Sequence, residues 1–279
     1  METGRASKTA FRVAVRRAIH QVLDQPCVLA DPIAVPLLGR HFTFDREREM
    51  STIARAFRAF MAARSRFAED RLAEAVALGI TQYAVLGAGL DTFAYRNPFL
   101  NLRVFEVDFP ATQEWKRTLL AEALIPLPDT LTFVPLDFEH KTLAAGLAEA
   151  GFVLGARSFF GWLGVVPYLT RDGFRATLRA IAQLPPGSGV CFDYALSPES
   201  MGPDRRRVFE ALAARVAAVG EPFQLFFTPE ELETELWRAG FHTIDFADSN
   251  RLNALYFDNR SDGLKLPAEG LGMIAVAWV

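Results

Sequence analysis

Two cysteines in 279 residues, Cys27 and Cys191, are too few for a disulfide framework. They form no CxxC pair and no metal-ligand spacing, so both are expected to be reduced and buried, in a cytoplasmic protein that holds no metal. Histidine is scarce too. His20, His41, His140 and His242 are scattered, none beside an evident nucleophile or an orienting carboxylate, and all read as structural or surface residues. No window approaches the ~18 consecutive apolar residues of a membrane span, and the N-terminal stretch lacks the apolar core of a signal peptide. A soluble protein without a membrane partner is expected. Charge of either sign is unconcentrated: 30 basic and 33 acidic residues leave a net charge of −3, with no long basic stripe. The clusters Arg12–Arg17 and Arg205–Arg207 read as solvated helix faces, so nucleic acid is not an expected partner. Repeats, low-complexity tracts and obvious linkers are missing. With 51% hydrophobic residues, the chain can bury one α/β core.

What is present is most informative at Tyr83–Arg96, YAVLGAGLDTFAYR, followed by VFEVDFP at Val104–Pro110. A short apolar run stops at Gly87-Ala88-Gly89, and a second stops at two acids, Glu106 and Asp108. A strand that delivers a glycine turn, then a strand that ends in carboxylate, is how open α/β sheets hold the ribose of a nucleotide-like cofactor. Glycine lets the backbone approach a ligand because no Cβ intervenes. A dinucleotide site would want a third glycine at position 92, to bring a helix N-terminus onto pyrophosphate. Position 92 is Thr92, and Asp91 beside it would repel a phosphate. The turn suits a ligand with a ribose and no phosphate.

Periodicity organises the rest. Helices are expected over Ser7–Leu23, from an Asp31-Pro32 cap to Leu38, and through Glu47–Leu78 as one or two segments, with Gly79 as a stop. Thereafter strands are expected at 82–87, 103–107, 131–136, 157–163, 188–194, 242–247 and 272–279. Helices alternate with them near 109–124, 140–150, 171–183, 203–219 and 229–239. Such alternation predicts a doubly wound, seven-stranded, mostly parallel sheet covered on both faces. One domain over 1–279 is expected: an N-terminal helical cap (1–80), a cofactor-binding core (81–196), a lid inserted between strands five and six (197–227), and the end of the core (228–279). Segments at the carboxyl edge of such sheets are where ligands bind.

LGAGLDT at Leu86–Thr92, FEVDFP at Phe105–Pro110 and PLDFE at Pro135–Glu139 resemble the class I S-adenosylmethionine-dependent methyltransferases. More narrowly they resemble the group of leucine carboxyl methyltransferases and tetracenomycin-type polyketide O-methyltransferases. FFGWLGVVPYLT (Phe159–Thr170) and LNALYFDNRSDGL (Leu252–Leu264) are similar to its bacterial branch. The resemblance runs over nearly the whole chain from about Thr9 and implies a Rossmann-like methyltransferase fold with S-adenosyl-L-methionine as cofactor. It implies that Arg64 binds the methionine carboxylate, a task suited to a guanidinium fork. Gly87 and Gly89 would line methionine and ribose, and Asp108 would hold the ribose hydroxyls with Glu106 as its neighbour on the same strand face. Asp137 and Phe138 would contact adenine. Leu163 stands where the eukaryotic leucine carboxyl enzymes end the fourth strand with glutamate, which weakens a protein C-terminus as substrate. Trp162, Tyr168 and Arg260 are candidates for the substrate wall. Each has a structural alternative: Arg64 as an exposed helix charge, Asp137 as a helix cap, Trp162 and Tyr168 as core aromatics.

A carboxylate acceptor is ionised at neutral pH and needs no base, whereas a phenol or alcohol usually does. With no evident base, the expected activity is O-methylation of a carboxylate or acidic hydroxyl on a small molecule, polyketide-like or another secondary metabolite. The alternatives are a protein C-terminal carboxyl methyltransferase, a non-catalytic binder of the cofactor, and an NAD-dependent oxidoreductase.

Overall fold

The computed structural model describes residues 7–137, 140–218 and 220–279. Four helices come first: α1 (Lys8–Leu23), α2 (Ala34–Leu38), α3 (Arg46–Glu49) and α4 (Thr52–Ala77). Then β1 (Gln82–Leu86), β2 (Arg103–Asp108), α5 (Pro110–Glu122), β3 (Leu131–Pro135), α6 (Leu143–Glu149) and β4 (Phe159–Trp162) follow. The chain ends with α7 (Arg171–Ala182), β5 (Gly189–Leu196), α8 (Pro203–Ala217), β6 (Phe226–Phe227), α9 (Pro229–Ala239), β7 (Thr243–Ala247), α10 (Ser249–Tyr256) and β8 (Gly272–Trp278).

Local chemistry sets these boundaries. Ser7, Ser51 and Thr170 each accept a backbone N–H of the first turn they precede. Thr228 and Glu231 make a reciprocal capping box behind Pro229, and Gly240 ends α9 at φ 108°. Gly79, at φ 93°, turns the chain out of α4. One expected cap is not made. α2 begins at Ala34, with Ile33 in the cap position, and Asp31 offers only its backbone oxygen. The Asp31 carboxylate is drawn instead to Arg17 and Thr92.

The sheet order is β3-β2-β1-β4-β5-β8-β7, with β8 antiparallel to both neighbours. All seven expected strands are present. β6 is an eighth, two residues long, parallel to the end of β5. Ala195 already pairs with Gly272 of β8, so β6 takes the other edge of β5, beyond the point where β4 stops. α10 is also additional to the expected elements. Of the four N-terminal helices, α4 covers one face of the sheet.

On that face Tyr83, Val85, Phe159 and Cys191 meet Ala59, Ala62, Ala63, Phe67 and Leu72 of α4. The alanines bring the long helix close to the strands. On the other face Phe105, Phe160, Trp162 and Phe192 meet Phe174, Leu178 and Ile181 of α7 and Leu232 and Leu236 of α9. Each such buried side chain contributes roughly 1.5–3 kcal/mol. α1, α2 and α5 share a third cluster around Ala18, Leu37, Leu38 and Leu120. Because β1 lies between β2 and β4, the chain winds one way from it and then the other. That reversal opens a crevice at the carboxyl ends of β1 and β4.

Candidate cofactor site

Gly87 and Gly89 follow β1 with φ of 64° and 48°, a conformation that suits glycine. The N–H groups of Gly87 and Ala88 bond to the Val107 carbonyl, tying the turn to β2. Asp108, the last residue of β2, completes the tie: its Oδ2 accepts the Gly89 N–H at 2.5 Å and its Oδ1 the Phe109 N–H at 2.6 Å. Burial pushes the Asp108 carboxyl above its ordinary range, although both N–H bonds favour its ionised form. A carboxylate at the strand tip, held beside an exposed Gly87, is therefore fixed before any ligand arrives.

The opposite wall comes from the exit of β4. A Cβ on Gly87 would lie 2.4 Å from Val165 Cγ2. A Cβ on Gly164, at φ 72°, would lie 3.0 Å from both terminal nitrogens of Arg64. Arg64 is buried on α4, with Nη1 donating to Asp193 Oδ2 at 2.8 Å and Nε left without a partner. Asp193, on β5, also accepts the Gly164 N–H on Oδ1 at 2.5 Å. Leu163 is half-buried at the start of this turn and packs toward α4. Tyr168 reaches the same group: burial pushes its phenol up to about 12 against the pull of the Arg64 guanidinium, and its ring rests on Phe223 at 5.2 Å.

The N-terminal turn of α1 roofs the crevice. Ala10 Cβ lies 3.1 Å from where a Cβ on Gly89 would sit. Glu221, after α8, accepts the backbone N–H groups of Lys8 and Thr9, each at 3.2 Å, and also bonds the Ser7 and Thr9 hydroxyls. Beneath the roof, buried Arg17 binds Asp31, Thr92 and Asp91. Burial alone would raise the Asp91 carboxyl, but Arg17, Lys116, Arg96 and the Phe93 N–H together outweigh it and hold the group below its ordinary value, as an anion. Asp137 lies just beyond β3, where the Leu136 N–H bonds to the Asp108 carbonyl. Its Oδ2 is 3.1 Å from His140 Nδ1. Phe138 lies outside the described residues.

Three expected contributors are placed elsewhere. Glu106 points into the layer between β2 and α5, where Lys116 Nζ donates to it at 2.6 Å and both side chains are 1% exposed. Burial pushes its carboxyl up to about 7 against the pull of Lys116. Trp162 is a core residue: its ring stacks on Phe174 at 5.6 Å and 14°, because alternate residues of β4 face α7. Arg260 forks onto Asp262 of its own loop and lines a hollow with Cys27, Arg66 and Tyr256, away from the glycine turn. His20 does have a carboxylate neighbour. Its Nε2 accepts the Val28 N–H at 3.0 Å, so Nδ1–H donates to Asp24, which places the ring in the scaffold. Among the described residues no group of three or more His, Cys, Asp and Glu could hold a metal ion. No helix among them is long and apolar enough to cross a membrane.

Asp193 and Glu221 were not anticipated. The signal for Asp193 was available: it is the one charged residue in the apolar run GVCFDYAL, on a strand buried at every position. Glu221 lies on a connection with no motif.

The crevice thus offers a strand-end carboxylate suited to a ribose diol, a glycine turn without phosphate chemistry, and a buried guanidinium with a spare donor. These groups fit a nucleoside bearing an amino-acid tail. A family profile described as leucine carboxyl methyltransferase matches residues 10–182. A relative from Bacillus subtilis (strain 168), "Putative S-adenosyl-L-methionine-dependent methyltransferase YktD", is 32% identical over 291 residues, covering 95% of each chain. One from Mycobacterium tuberculosis (strain ATCC 25177 / H37Ra), of the same description without the suffix, is 33% identical over 224 residues, 74% of this chain and 70% of its own. Among solved structures, "a putative methyltransferase from Thermobifida fusca YX" aligns with a TM-score of 0.57 at 20% identity, over 87% of this chain and 91% of its own. A duf574 family protein from Streptomyces avermitilis MA-4680 aligns at 0.55 and 17%, over 96% of each. The fold and site define an S-adenosylmethionine-dependent methyltransferase with a Rossmann-like sheet. Within that class the chain belongs to the leucine carboxyl methyltransferase family.

Proposed function

We propose that this methyltransferase acts on an oxygen of a small acidic acceptor, a carboxylate or an acidic hydroxyl. The cofactor, when bound, supplies a methyl group already activated on a sulfonium. What the chain contributes is alignment and exclusion of water, worth up to ~7–11 kcal/mol in well-oriented cases. Asp108 and the glycine turn hold the sugar end, and Arg64 takes the carboxylate of the amino-acid end. The α1 roof over Gly89 keeps the crevice dry, which favours reaction between an anion and a cation that lose charge together.

One observation carries the choice of acceptor: the acids at the crevice are all engaged. Asp108 holds two backbone N–H groups, Asp193 holds Arg64 and Gly164, and the Tyr168 phenol stays protonated. Such a site favours an acceptor that arrives ionised, with no proton left to remove. The hollow beside the roof agrees in character: about 350 Å³ and lined by Lys8, Arg12, Phe11 and Trp115, it suits a small anion with an apolar body.

The test is transfer of a radiolabelled methyl group from the cofactor into a fractionated cell extract. Label in the small-molecule organic fraction, released by mild alkali if the product is an ester, is the expected result. Label confined to protein would overturn the choice of a small acceptor.

A further inference from the structure

Arg64 and Asp193 do not behave like an ion pair placed for stability. The contrast is Arg58, also on α4, whose Nε and Nη2 fork onto Asp24 at 2.9 Å each while Nη1 takes the Glu49 carbonyl. That guanidinium is spent. Arg64 gives Asp193 a single N–H, from Nη1, and keeps Nε buried without a partner, an unmade bond that costs stability. Asp193 accepts one bond on each oxygen, where a carboxylate has room for about four. The pair is 5% and 6% exposed, yet it lies against Gly164 and, through Val165, against the exposed Gly87. Cation and anion stand side by side against the turn that leaves β4, while Asp108 stands at the tip of β2.

We propose that Arg64 and Asp193 together form a subsite for a zwitterion, with Asp193 receiving the α-ammonium of the cofactor while the open edge of Arg64 receives its α-carboxylate. This rests on the reading of the chain as an S-adenosylmethionine-dependent methyltransferase. An amino-acid tail carries both charges on one carbon, and the pair presents the complementary charges on neighbouring groups. Each protein charge has its partner while the tail is away, so neither is stranded in the interior. Asp193 reaches the crevice because β5 follows β4 in register. Trp162 pairs with Phe192, so Asp193 stands beside Leu163 and shares the α4 face with Cys191. Leu163 offers no polar atom there, which leaves Asp193 as the acid adjoining the β4 turn.

The experiment is a calorimetric binding cycle with three ligands: S-adenosylhomocysteine, its analogue lacking the α-amino group, and methylthioadenosine, which lacks the amino-acid tail. Wild-type protein should lose about tenfold or more in affinity when the amino group is removed, as expected for a charge-assisted hydrogen bond. In Asp193→Asn the same removal should cost less than about twofold, while methylthioadenosine binds as in the wild type, which also shows that the variant is folded. Equal cost of the missing amino group in both proteins overturns the proposal. So does a wild-type protein indifferent to that group, a result that needs no variant at all. A wild-type protein that binds methylthioadenosine but ignores the tail refutes the subsite alone, whereas one that binds none of the three ligands refutes the cofactor assignment as well.

Discussion

Glu221 caps α1 from across the crevice, accepting the backbone N–H groups of Lys8 and Thr9 at 3.2 Å each. A carboxylate there also meets the positive end of the helix dipole. Removing it in Glu221→Ala should cost about 1 kcal/mol of stability and raise the dissociation rate of S-adenosylhomocysteine several-fold, because Ala10 above Gly89 is held down by that cap. Stopped-flow displacement measures the rate. An unaltered off-rate would mean that α1 does not govern exchange.

Arg17 is the common partner of Asp31, Asp91 and Thr92 beneath that roof. Arg17→Met takes the ion-pair partner from Asp91 and leaves Asp31 with Arg96 alone, at 3.4 Å, in a buried setting, so a loss of about 3–5 kcal/mol is expected. Urea unfolding reads it directly. Adding Asp31→Asn should recover part of the loss; if the double variant is weaker still, the network does not act through these charges.

Glu106 gives a pH signature of definite sign. Its folded carboxyl is pushed up to about 7, from an ordinary value of 4.5. Between those values the folded protein keeps a proton that the unfolded chain has lost. Raising pH through the window therefore removes stability, by roughly 3 kcal/mol if the whole shift is expressed. Below the window the contribution is fully present. Thermal unfolding of wild type and Glu106→Gln from pH 4.5 to 7.5 should give curves whose difference carries this slope, and a flat difference counts against it.

Asp108→Ala removes both the strand-end carboxylate and the acceptor that fixes the Gly89 N–H. S-adenosylmethionine binding, near ~8 kcal/mol for micromolar affinity, should fall below detection in titration calorimetry. Asp108→Asn keeps one acceptor oxygen and should retain more of the turn than of the affinity. Undiminished binding by the alanine form would remove Asp108 from the site.

Much of this architecture is written in local pattern. Apolar runs ended by glycine, proline or acid located seven strands, because a strand covered on both faces must be mostly apolar, and β1 and β5 are buried at every position. β6, Phe226-Phe227, escapes such a pattern, since two residues carry no periodicity. The glycine turn and Asp108 were legible because conformation and chemistry coincide there. Pairings across the chain were not. Nothing in the strand pattern says that Glu106 is claimed by Lys116 of the following helix. Trp162 faces α7 by strand parity, which one frame of register decides. Asp193 was hidden by the strand that holds it, and only the approach of Arg64 from 129 positions earlier gives it a role.

The reversed strand β8 has a consequence for how the molecule comes into being. β5 needs β8 along Gly189–Ala195, and that partner is made after the other strands among the described residues. Until Gly272 leaves the ribosome, a strand buried at every position in the folded protein has one flank of unpaired N–H and C=O groups, open to any extended chain nearby. The middle of the sheet is sealed after its margins, so nascent chains halted between Leu196 and Gly272 are the forms most prone to aggregate, and a chaperone that shields that flank should raise the yield of folded protein.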